Sequence, residues 1–294
     1  MGYGTRTAAA GTSRKCGRLT LPFPEPSLRG YIAQSPSLQM TTQPIDQRSA
    51  AERNTAIYDR FWEDAPDYVR YHPGARHRRR LILRAVGRSP YASVLDVGCG
   101  DGTLLRQVRR ARPDVAVWAG ADLSASQVER NKSRLADVDF YALDIQKAAL
   151  ERTFDLVLCS EVIEHLDDPA AAIRHLASML NPGGRLVLTC PTGTVYATEK
   201  HFGHVRHPTR GWLEQETVAA GLRVVSLQCW GWPLYGLLKW ATNVNANWAL
   251  RNFADGRYST AAKLVSSSLY WTNFLNKPDD ARGCQLIGVF EKAP

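Results

Sequence analysis

The sequence has few cysteines, and no two of them are close together. Among 294 residues there are six cysteines, separated by at least 31 residues. This spacing excludes a Cys-x-x-Cys zinc or redox motif and argues against a disulfide framework. Charged residues (22%) and aromatic residues (9%) occur at ordinary levels, which excludes a disordered, collagen-like or coiled-coil chain. We therefore expect a globular protein in a reducing compartment, the cytoplasm.

The net charge of +9 is confined to two segments. Residues 1–39 contain five basic residues and one acid, and residues 70–88 contain seven arginines and no acid. The rest of the chain is slightly acidic, so it offers no broad basic surface for nucleic acid. We do not expect a nucleic-acid partner, although the arginine-rich segment could still attract an anion.

The N-terminal segment, residues 1–45, lacks an apolar periodicity and contains the proline-rich stretch LPFPEP. It is predicted to be a disordered leader or an over-extended start, since Met40 begins an ordinary polar N-terminus. An organellar transit peptide is the alternative, which would move the protein to an organelle.

Residues 46–90 are predicted to form helices, because Tyr58, Phe61 and Trp62 fall on one helical face. A second helix is expected from about residue 76 to 86, after the break YHPGA. Its apolar residues should face inward and the arginines 78–80 should face solvent, with phosphate binding as the alternative.

From residue 91 onward, short apolar runs alternate with helical patterns. The five runs predicted to be strands are SVLDVG, AVWAGAD, VDFYALD, FDLVLCS and GRLVLTC. Alternating βα units predict a parallel, doubly wound sheet of the Rossmann type. Ligands of such sheets bind beyond the carboxyl ends of the strands.

The first strand runs into a glycine turn, with Gly98, Gly100 and Gly102 spaced as G-x-G-x-G. Glycines allow a sharp turn and a close approach of the backbone to a ligand. Thr103 breaks the dinucleotide pattern G-x-G-x-x-G, and Asp96 would repel a pyrophosphate. A carboxylate at this position suits a ligand with an ammonium group.

Two further acids end the next strands. Asp122 follows Gly102 by 20 residues, the spacing at which a carboxylate accepts ribose hydroxyls. Asp144 could meet an exocyclic amine, and Ile145 could lie against a flat ring. Together with the glycine turn, these residues predict a site for an adenosine with a positively charged tail.

Residues 94–190 resemble the class I S-adenosylmethionine-dependent methyltransferases, especially the ubiquinone-pathway O-methyltransferase branch. The matching motifs are VLDVGCGDG, GADLS, ALDI, FDLVLCSEVIEHL and LNPGGRLVLTCP. The resemblance implies a seven-stranded sheet whose last strand is antiparallel, with S-adenosylmethionine as the cofactor. The cofactor contacts expected from these motifs are Asp96, Gly98, Cys99, Gly100, Gly102, Asp122, Leu123, Asp144, Ile145, Ser160 and Glu161.

The motif SEVIEHL offers candidates for catalysis. At the start of a helix, Glu161, Glu164 and His165 would share one face, and His204 belongs to a second histidine group beyond the fifth strand. We expect His165 or His204 to be the general base and Glu161 to line the site, without a metal. The alternative is a divalent metal on these four residues, as in the ubiquinone-pathway and small-RNA 2′-O-methyltransferase branches.

The segment 230–281 interrupts the family pattern between the core, 91–229, and a closing strand within 282–294. It contains five of the eight tryptophans, and no apolar run reaches the roughly 18 residues that a transmembrane helix needs. We expect a helical lid over a flat or apolar acceptor. The alternatives are a helical subdomain that packs its own aromatic residues and a peripheral membrane surface that collects a lipid-soluble acceptor.

The sequence therefore predicts a methyltransferase that acts on a small apolar or aromatic molecule, most simply at an oxygen. Two alternatives stay open: a metal-dependent RNA 2′-O-methyltransferase, and a non-catalytic module that binds the cofactor. The intact glycine turn and the three acids count against the second alternative. The acceptor and the oligomeric state are not predicted.

Overall fold

Three helices precede the sheet in the computed structural model, which describes residues 50–253 and 256–294. The predictions for residues 1–45 lie outside the described residues. The helices are α1 (Ala50–Asp64), α2 (Pro66–Tyr71) and α3 (Pro73–Val86). The sequence predicted two helices, but the first one is divided at Ala65, and the second one begins at Pro73 rather than near residue 76. Proline starts both α2 and α3, where its fixed φ and missing N–H fit the first helical turn.

Within the described ranges, eight strands form one sheet in the order β3-β2-β1-β4-β5-β8-β6-β7. The strands are β1 (Ser93–Val97), β2 (Val117–Asp122), β3 (Asp139–Ala142), β4 (Phe154–Ser160), β5 (Leu180–Pro191), β6 (Leu222–Trp232), β7 (Lys277–Pro278) and β8 (Gln285–Lys292). The neighbours among β1 to β5 pair in parallel, and β8 lies antiparallel between β5 and β6. The predicted α/β class and the antiparallel final strand are confirmed.

The strand count differs from the predicted seven. The additional strand, β7, pairs with β6 at the sheet edge through two residues. A two-residue strand has no alternation of apolar and polar residues, and its proline suits only an edge. The sequence pattern therefore contained no signal for it.

Helices cover both faces of the sheet. They are α4 (Thr103–Ala111), α5 (Ala125–Arg134), α6 (Pro169–Ser178), α7 (Ala197–His201), α8 (Arg210–Ala219), α9 (Leu234–Val244), α10 (Ala246–Phe253) and α11 (Thr260–Thr272). Neighbouring residues of β1 point to opposite faces: Leu95 packs in the core layer that includes Leu176 of α6, and Val94 in the layer that includes Leu105 of α4. Both layers are closed to solvent, so the strand ends remain as the accessible edge of the sheet.

The aromatic-rich segment folds into α9, α10, α11 and β7. Its inward residues line a cavity together with α1 and α2, whereas Trp240, Trp248 and Trp271 are each more than half exposed. Within the part of the chain that the structure describes, no helix is long and apolar enough to cross a membrane. The segment is thus a helical cover beside the carboxyl ends of the strands.

Candidate active site

The glycine turn after β1 is closely packed against two other elements. Gly98 and Gly100 have φ values of 72° and 51°, which glycine adopts without strain. A Cβ atom on Gly98 would lie 2.2 Å from Val162, and one on Gly100 would lie 2.3 Å from the ring of Trp62. Gly102 also has a positive φ and caps α4. Only glycine fits the first two positions without displacing a neighbour.

Asp122, at the end of β2, holds this turn in place. Its carboxylate accepts hydrogen bonds from the backbone N–H groups of Gly100 (2.8 Å) and Ser124 (3.0 Å). Asp144 lines the same cavity of about 100 Å³, where it accepts from the N–H of Gln146 at 3.3 Å. Leu123 and Ile145 provide apolar walls there. The structure therefore brings the predicted ribose and adenine residues to one cavity, which we call the nucleoside cavity after that prediction.

Asp96 is a buried acid with an unused oxygen. Its side chain is 1% exposed, and one carboxylate oxygen has no hydrogen-bond partner. Burial, followed by the charges of Asp122 and Asp101, raises the pKa of Asp96 to about 8. Because an unpaired buried carboxylate is costly, the site fits a ligand that brings a positive charge. Cys99 and Ser160 border the same space.

Helix α1 closes the site from above with aromatic side chains. Tyr58 and Trp62 line both the nucleoside cavity and its larger neighbour. The amide of Asn54 donates to the carbonyl of His165 at 2.9 Å, and Asp59 accepts from the hydroxyl of Ser124. These contacts fix α1 to the strand ends, so the predicted aromatic face becomes part of the site.

The larger cavity has a volume of about 290 Å³ and is mainly aromatic and aliphatic. It shares Gly98, Glu161 and His165 with the nucleoside cavity, so the two spaces meet. The helical cover contributes its far wall, including Tyr235 and Leu269. The wall also carries several charged and polar side chains, and an apolar cavity with converging polar groups is typical of small-molecule sites.

Glu161 stands where the two cavities meet. It has a φ of 59°, a left-handed conformation that is strained for a side chain of this type. Three partners hold its carboxylate: Thr189 at 3.1 Å, Gln285 at 2.8 Å and Arg78 at 3.0 Å. The conformation thus fixes a fully paired carboxylate at the junction.

The prediction that the arginines of α3 face solvent is wrong for Arg78. Its side chain is 18% exposed and reaches the cavity to pair with Glu161. The prediction assumed that only the apolar stripe of α3 faces inward. The helix instead crosses the strand ends, so a second face also contacts the protein interior.

The prediction that the SEVIEHL motif begins a helix is also wrong. Ile163–His165 form a single 3-10 turn, and α6 starts only at Pro169. Glu161 lies before this turn in a left-handed backbone conformation, so Glu161 and Glu164 do not share a helical face. Glu161 pairs with Arg78, and Glu164 turns into the interior.

Glu164, His165 and His204 form a compact buried cluster. One potential ligand atom from each lies within 4.8 Å of the others. Glu164 is 0% exposed, and both of its carboxylate oxygens lack hydrogen-bond partners. Burial, then the charge of Glu161, raises its pKa well above the usual value. This donor set fits a divalent cation, which would stabilise the ionised carboxylate.

The two histidines of this cluster are neutral. Burial lowers the pKa of His165 to about 4, and its Nε2 atom lies 3.2 Å from the hydroxyl of Tyr58. Burial, then the charge of His165, lowers the pKa of His204 as well. His204 Nδ1 lies 3.0 Å from His207 Nε2, which in turn is 3.7 Å from Glu199. A proton taken up by His204 can pass from its Nδ1 atom to His207 Nε2, where the nearby carboxylate of Glu199 would stabilise the positive charge.

The structure brings most of the predicted site residues together and adds others that the sequence did not predict. The sequence predicted the glycine turn, the three acids, Glu161 and the histidines, all of which the structure brings to one edge of the sheet. It missed Arg78, Gln285, Glu199 and Tyr235, which reach the site from α3, β8, α7 and α9. No local pattern marks such residues, because only the packing of distant elements places them at the site.

A doubly wound sheet with a glycine turn and acids at three strand ends defines a nucleoside-binding α/β protein. A family model described as "Methyltransferase domain" matches residues 61–227. The ubiquinone biosynthesis O-methyltransferase of Xanthomonas campestris pv. campestris (strain B100) is 31% identical over 207 residues, which are 66% of this chain and 86% of that protein. The chain belongs to the class I S-adenosylmethionine-dependent methyltransferases.

Other relatives match over shorter stretches. The ubiquinone biosynthesis O-methyltransferase of Acinetobacter baylyi is 27% identical over 135 residues, so this chain spans 57% of that protein's length. The match covers 45% of the present chain. A match over less than half of this chain does not identify the acceptor.

Solved structures agree on the fold. The N-methyltransferase NodS from Bradyrhizobium japonicum WM9, in complex with S-adenosyl-L-homocysteine, has a TM-score of 0.52 at 19% identity and covers 81% of this chain and 99% of its own. The [4+2]-cyclase SpnF has a TM-score of 0.50 at 21% identity, covering 74% and 81%. Because a cyclase shares the fold, the fold alone does not specify methyl transfer; the family match does.

Proposed function

We propose that this methyltransferase transfers the methyl group of S-adenosylmethionine to a hydroxyl of a small apolar or aromatic acceptor. The acceptor would bind in the cavity of about 290 Å³, which we call the acceptor cavity. The observation that carries the proposal is the junction at Gly98, Glu161 and His165, where this cavity opens onto the nucleoside cavity. A substrate there would meet the cofactor without solvent between them.

The cofactor roles follow from the cavity walls. Asp122 would accept the ribose hydroxyls, Asp144 and Ile145 would hold the adenine, and Asp96 would pair with the ammonium group. The guanidinium groups of Arg78 and Arg79 border the same space as Asp96, Cys99 and Ser160. They therefore suit the cofactor's carboxylate. When bound, S-adenosylmethionine supplies an electrophilic methyl group on a sulfonium.

A hydroxyl acceptor must lose its proton as the new oxygen–carbon bond forms. His204 lines the acceptor cavity and has His207 and Glu199 behind it. We assign the role of base to His204, with His165 positioned by Tyr58 on the adjacent wall. Glu161 is fully paired with Arg78, Thr189 and Gln285, so it suits a positioning role.

A second candidate mechanism uses a divalent cation on Glu164, His165 and His204. Both oxygens of Glu164 lack partners although the side chain is fully buried, an arrangement that a cation would stabilise. Such a cation would act as a Lewis acid and lower the pKa of an acceptor hydroxyl. Activity that survives exhaustive chelation with EDTA would exclude this mechanism and leave His204 as the base.

The exposed apolar residues of the helical cover support contact with a membrane surface. Leu237, Trp240 and Val244 form a stripe on the outer face of α9, while Leu238 and Thr242 on its inner face line the acceptor cavity. Tryptophan is a side chain favoured at membrane interfaces. A helix with these two faces could receive an apolar acceptor from a bilayer.

Methylation of RNA ribose stays the alternative with another class of substrate. The cavity's mainly apolar wall does not favour it, because ribose in a chain is flanked by phosphates. An RNA substrate predicts binding that weakens steeply with salt, whereas an apolar small molecule predicts little salt dependence.

The decisive experiment incubates extracts of the native host with the purified protein and isotopically labelled S-adenosylmethionine, followed by product mass spectrometry. The proposal expects label on an oxygen of a small apolar or aromatic compound. Label confined to RNA, or to a nitrogen or carbon atom, would contradict it.

A further inference from the structure

A cleft of about 490 Å³ lies beside the cofactor site and is lined by four arginines. Arg70 comes from α2, and Arg76, Arg79 and Arg80 come from α3. We call this space the arginine cleft. Its opposite wall is formed by residues of the loop before α4, of α4 and of α11: Asp101, Thr103, Gln107 and Tyr270.

The positive charge of the arginine cleft is only partly offset, because Asp101 is the one acid among its lining residues. Among the described residues, no carboxylate forms an ion pair with any of its four arginines. The acid in the wall, Asp101, is already engaged: it lies 3.5 Å from Arg106 and accepts from the hydroxyl of Thr103 at 2.7 Å. The cleft therefore has a surplus of positive charge that an anion would relieve.

Arg79 has a buried donor atom without an acceptor and a lowered pKa. One of its terminal nitrogens donates to the carbonyl of Val69 at 2.6 Å, but its Nε atom is buried without a hydrogen-bond partner. Burial, then the like charge of Arg78, lowers the pKa of Arg79 to about 10. A buried N–H group without an acceptor is unfavourable, and an anion in the cleft is a candidate acceptor.

Aromatic rings hold two of the other guanidinium groups in place. Arg76 lies 4.0 Å from the ring centre of Tyr270, and Arg80 lies 4.2 Å from that of Phe274. Stacking uses the face of a guanidinium and leaves its N–H edges free to donate. The arginines are thus positioned before a ligand arrives, which reduces the entropy lost on binding.

We propose that the arginine cleft binds the phosphate group of an anionic ligand. Several guanidinium groups around one space match the geometry and charge of phosphate. Trp271 is 67% exposed and stacks on Phe274, so an apolar part of the ligand could lie beside the phosphate. The phosphate could belong to a soluble compound or to the headgroup of an anionic lipid. The site is separate from the acceptor cavity, and the inference does not rest on the proposed acceptor.

The first test measures pyrophosphate binding to the full chain by calorimetry at low salt. The variant combines Arg76→Gln and Arg80→Gln, because Arg79 also borders the cofactor end. The control combines Arg84→Gln and Arg88→Gln, two exposed arginines outside the cleft. We expect the variant to bind at least about tenfold more weakly, since each arginine supplies charge-assisted hydrogen bonds. The control should stay within about twofold of the wild type.

The second test separates the two sources of phosphate by vesicle sedimentation. Vesicles of phosphatidylcholine are compared with an equimolar mixture of phosphatidylcholine and phosphatidylglycerol. Binding to the anionic mixture that the Arg76/Arg80 variant loses and the control keeps assigns the site to a lipid headgroup. Pyrophosphate binding with the same dependence, but no gain from phosphatidylglycerol, assigns it to a soluble compound.

A measurement on the unaltered protein covers the case in which the variant does not fold. Phenylglyoxal modifies accessible arginines, and peptide mass spectrometry locates the products. Pyrophosphate or anionic vesicles should protect Arg76 and Arg80 but not Arg84. The proposal is overturned if neither ligand binds the wild type, if a folded variant binds as well as the wild type, or if protection does not discriminate between these arginines.

Discussion

The replacement Asp122→Asn tests the cofactor site at its central residue. In the free protein the carboxylate accepts from Gly100 and Ser124, and in the complex it would also accept from the ribose. Asparagine keeps one acceptor oxygen and turns an NH₂ group toward one of these N–H groups or toward a ribose hydroxyl. Both the glycine turn and the ribose contact should therefore weaken.

The size of the effect follows from the number of hydrogen bonds. One lost bond to a charged acceptor costs roughly 1.5–3 kcal/mol, and one unsatisfied buried N–H costs roughly 1–3 kcal/mol. Because the cost at the glycine turn is present in the free and the bound protein alike, the affinity loss follows from the ribose contact, and about 1.5–3 kcal/mol corresponds to roughly 10- to 150-fold weaker binding of S-adenosylmethionine. Isothermal titration calorimetry measures this directly.

The matched control is Asp139→Asn, which makes the same change at an exposed acid that pairs with Arg152. Asp139 is the first residue of β3, so it lies at the end of the strand away from the cofactor site. It should leave cofactor affinity within about twofold of the wild type. If Asp122→Asn melts like the wild type and also binds the cofactor with unchanged affinity, the assignment of Asp122 to the ribose is refuted.

Three further predictions concern protonation, the cation and stability. Because the pKa of Asp96 is raised to about 8, its carboxyl is mostly protonated in the free protein at pH 7, and binding of an ammonium group should release close to one proton. Calorimetry in buffers of different ionisation enthalpy should show this proton release in the wild type and its loss in Asp96→Asn. The contribution of Asp96 to the stability of the free protein should fall as pH rises from 3.8, the pKa of this carboxyl in the unfolded chain, to about 8, because the folded state holds the extra proton in this window. Glu164→Gln should leave turnover nearly unchanged if the buried carboxyl acts in its neutral form, and should abolish it if a divalent cation is bound; steady-state rates with and without EDTA distinguish the two. Leu176→Ala, at a fully buried position, should lower the free energy of unfolding measured in urea by about 2–5 kcal/mol. The control Leu237→Ala, at a position 56% exposed, should lower it by less than about 0.5 kcal/mol. Equal losses in the two variants would contradict the described core.

The success of the sequence predictions depended on whether a signal was local. The glycine turn, the strand that ends in Asp122 and the strand that precedes Asp144 are each encoded by a short run of adjacent residues, so their place at one sheet edge follows from the βα alternation. The 3-10 turn at Ile163–His165 was missed because its residues are also compatible with a helix start. The strand β7 was missed because its two residues carry no periodicity.

The sequence by itself determined the α/β class, the cofactor and the excess of positive charge around residues 70–88, because each depends on composition or on motifs of adjacent residues. Only the tertiary structure decided how that charge is used. Helix α3 sends Arg78 to Glu161 in the active site and lines the arginine cleft with Arg76, Arg79 and Arg80. The physical reason is that consecutive helical residues point about 100° apart, so neighbouring arginines reach different surroundings. Which surroundings they reach depends on how α3 crosses the sheet, and that is fixed by contacts between elements far apart in the chain.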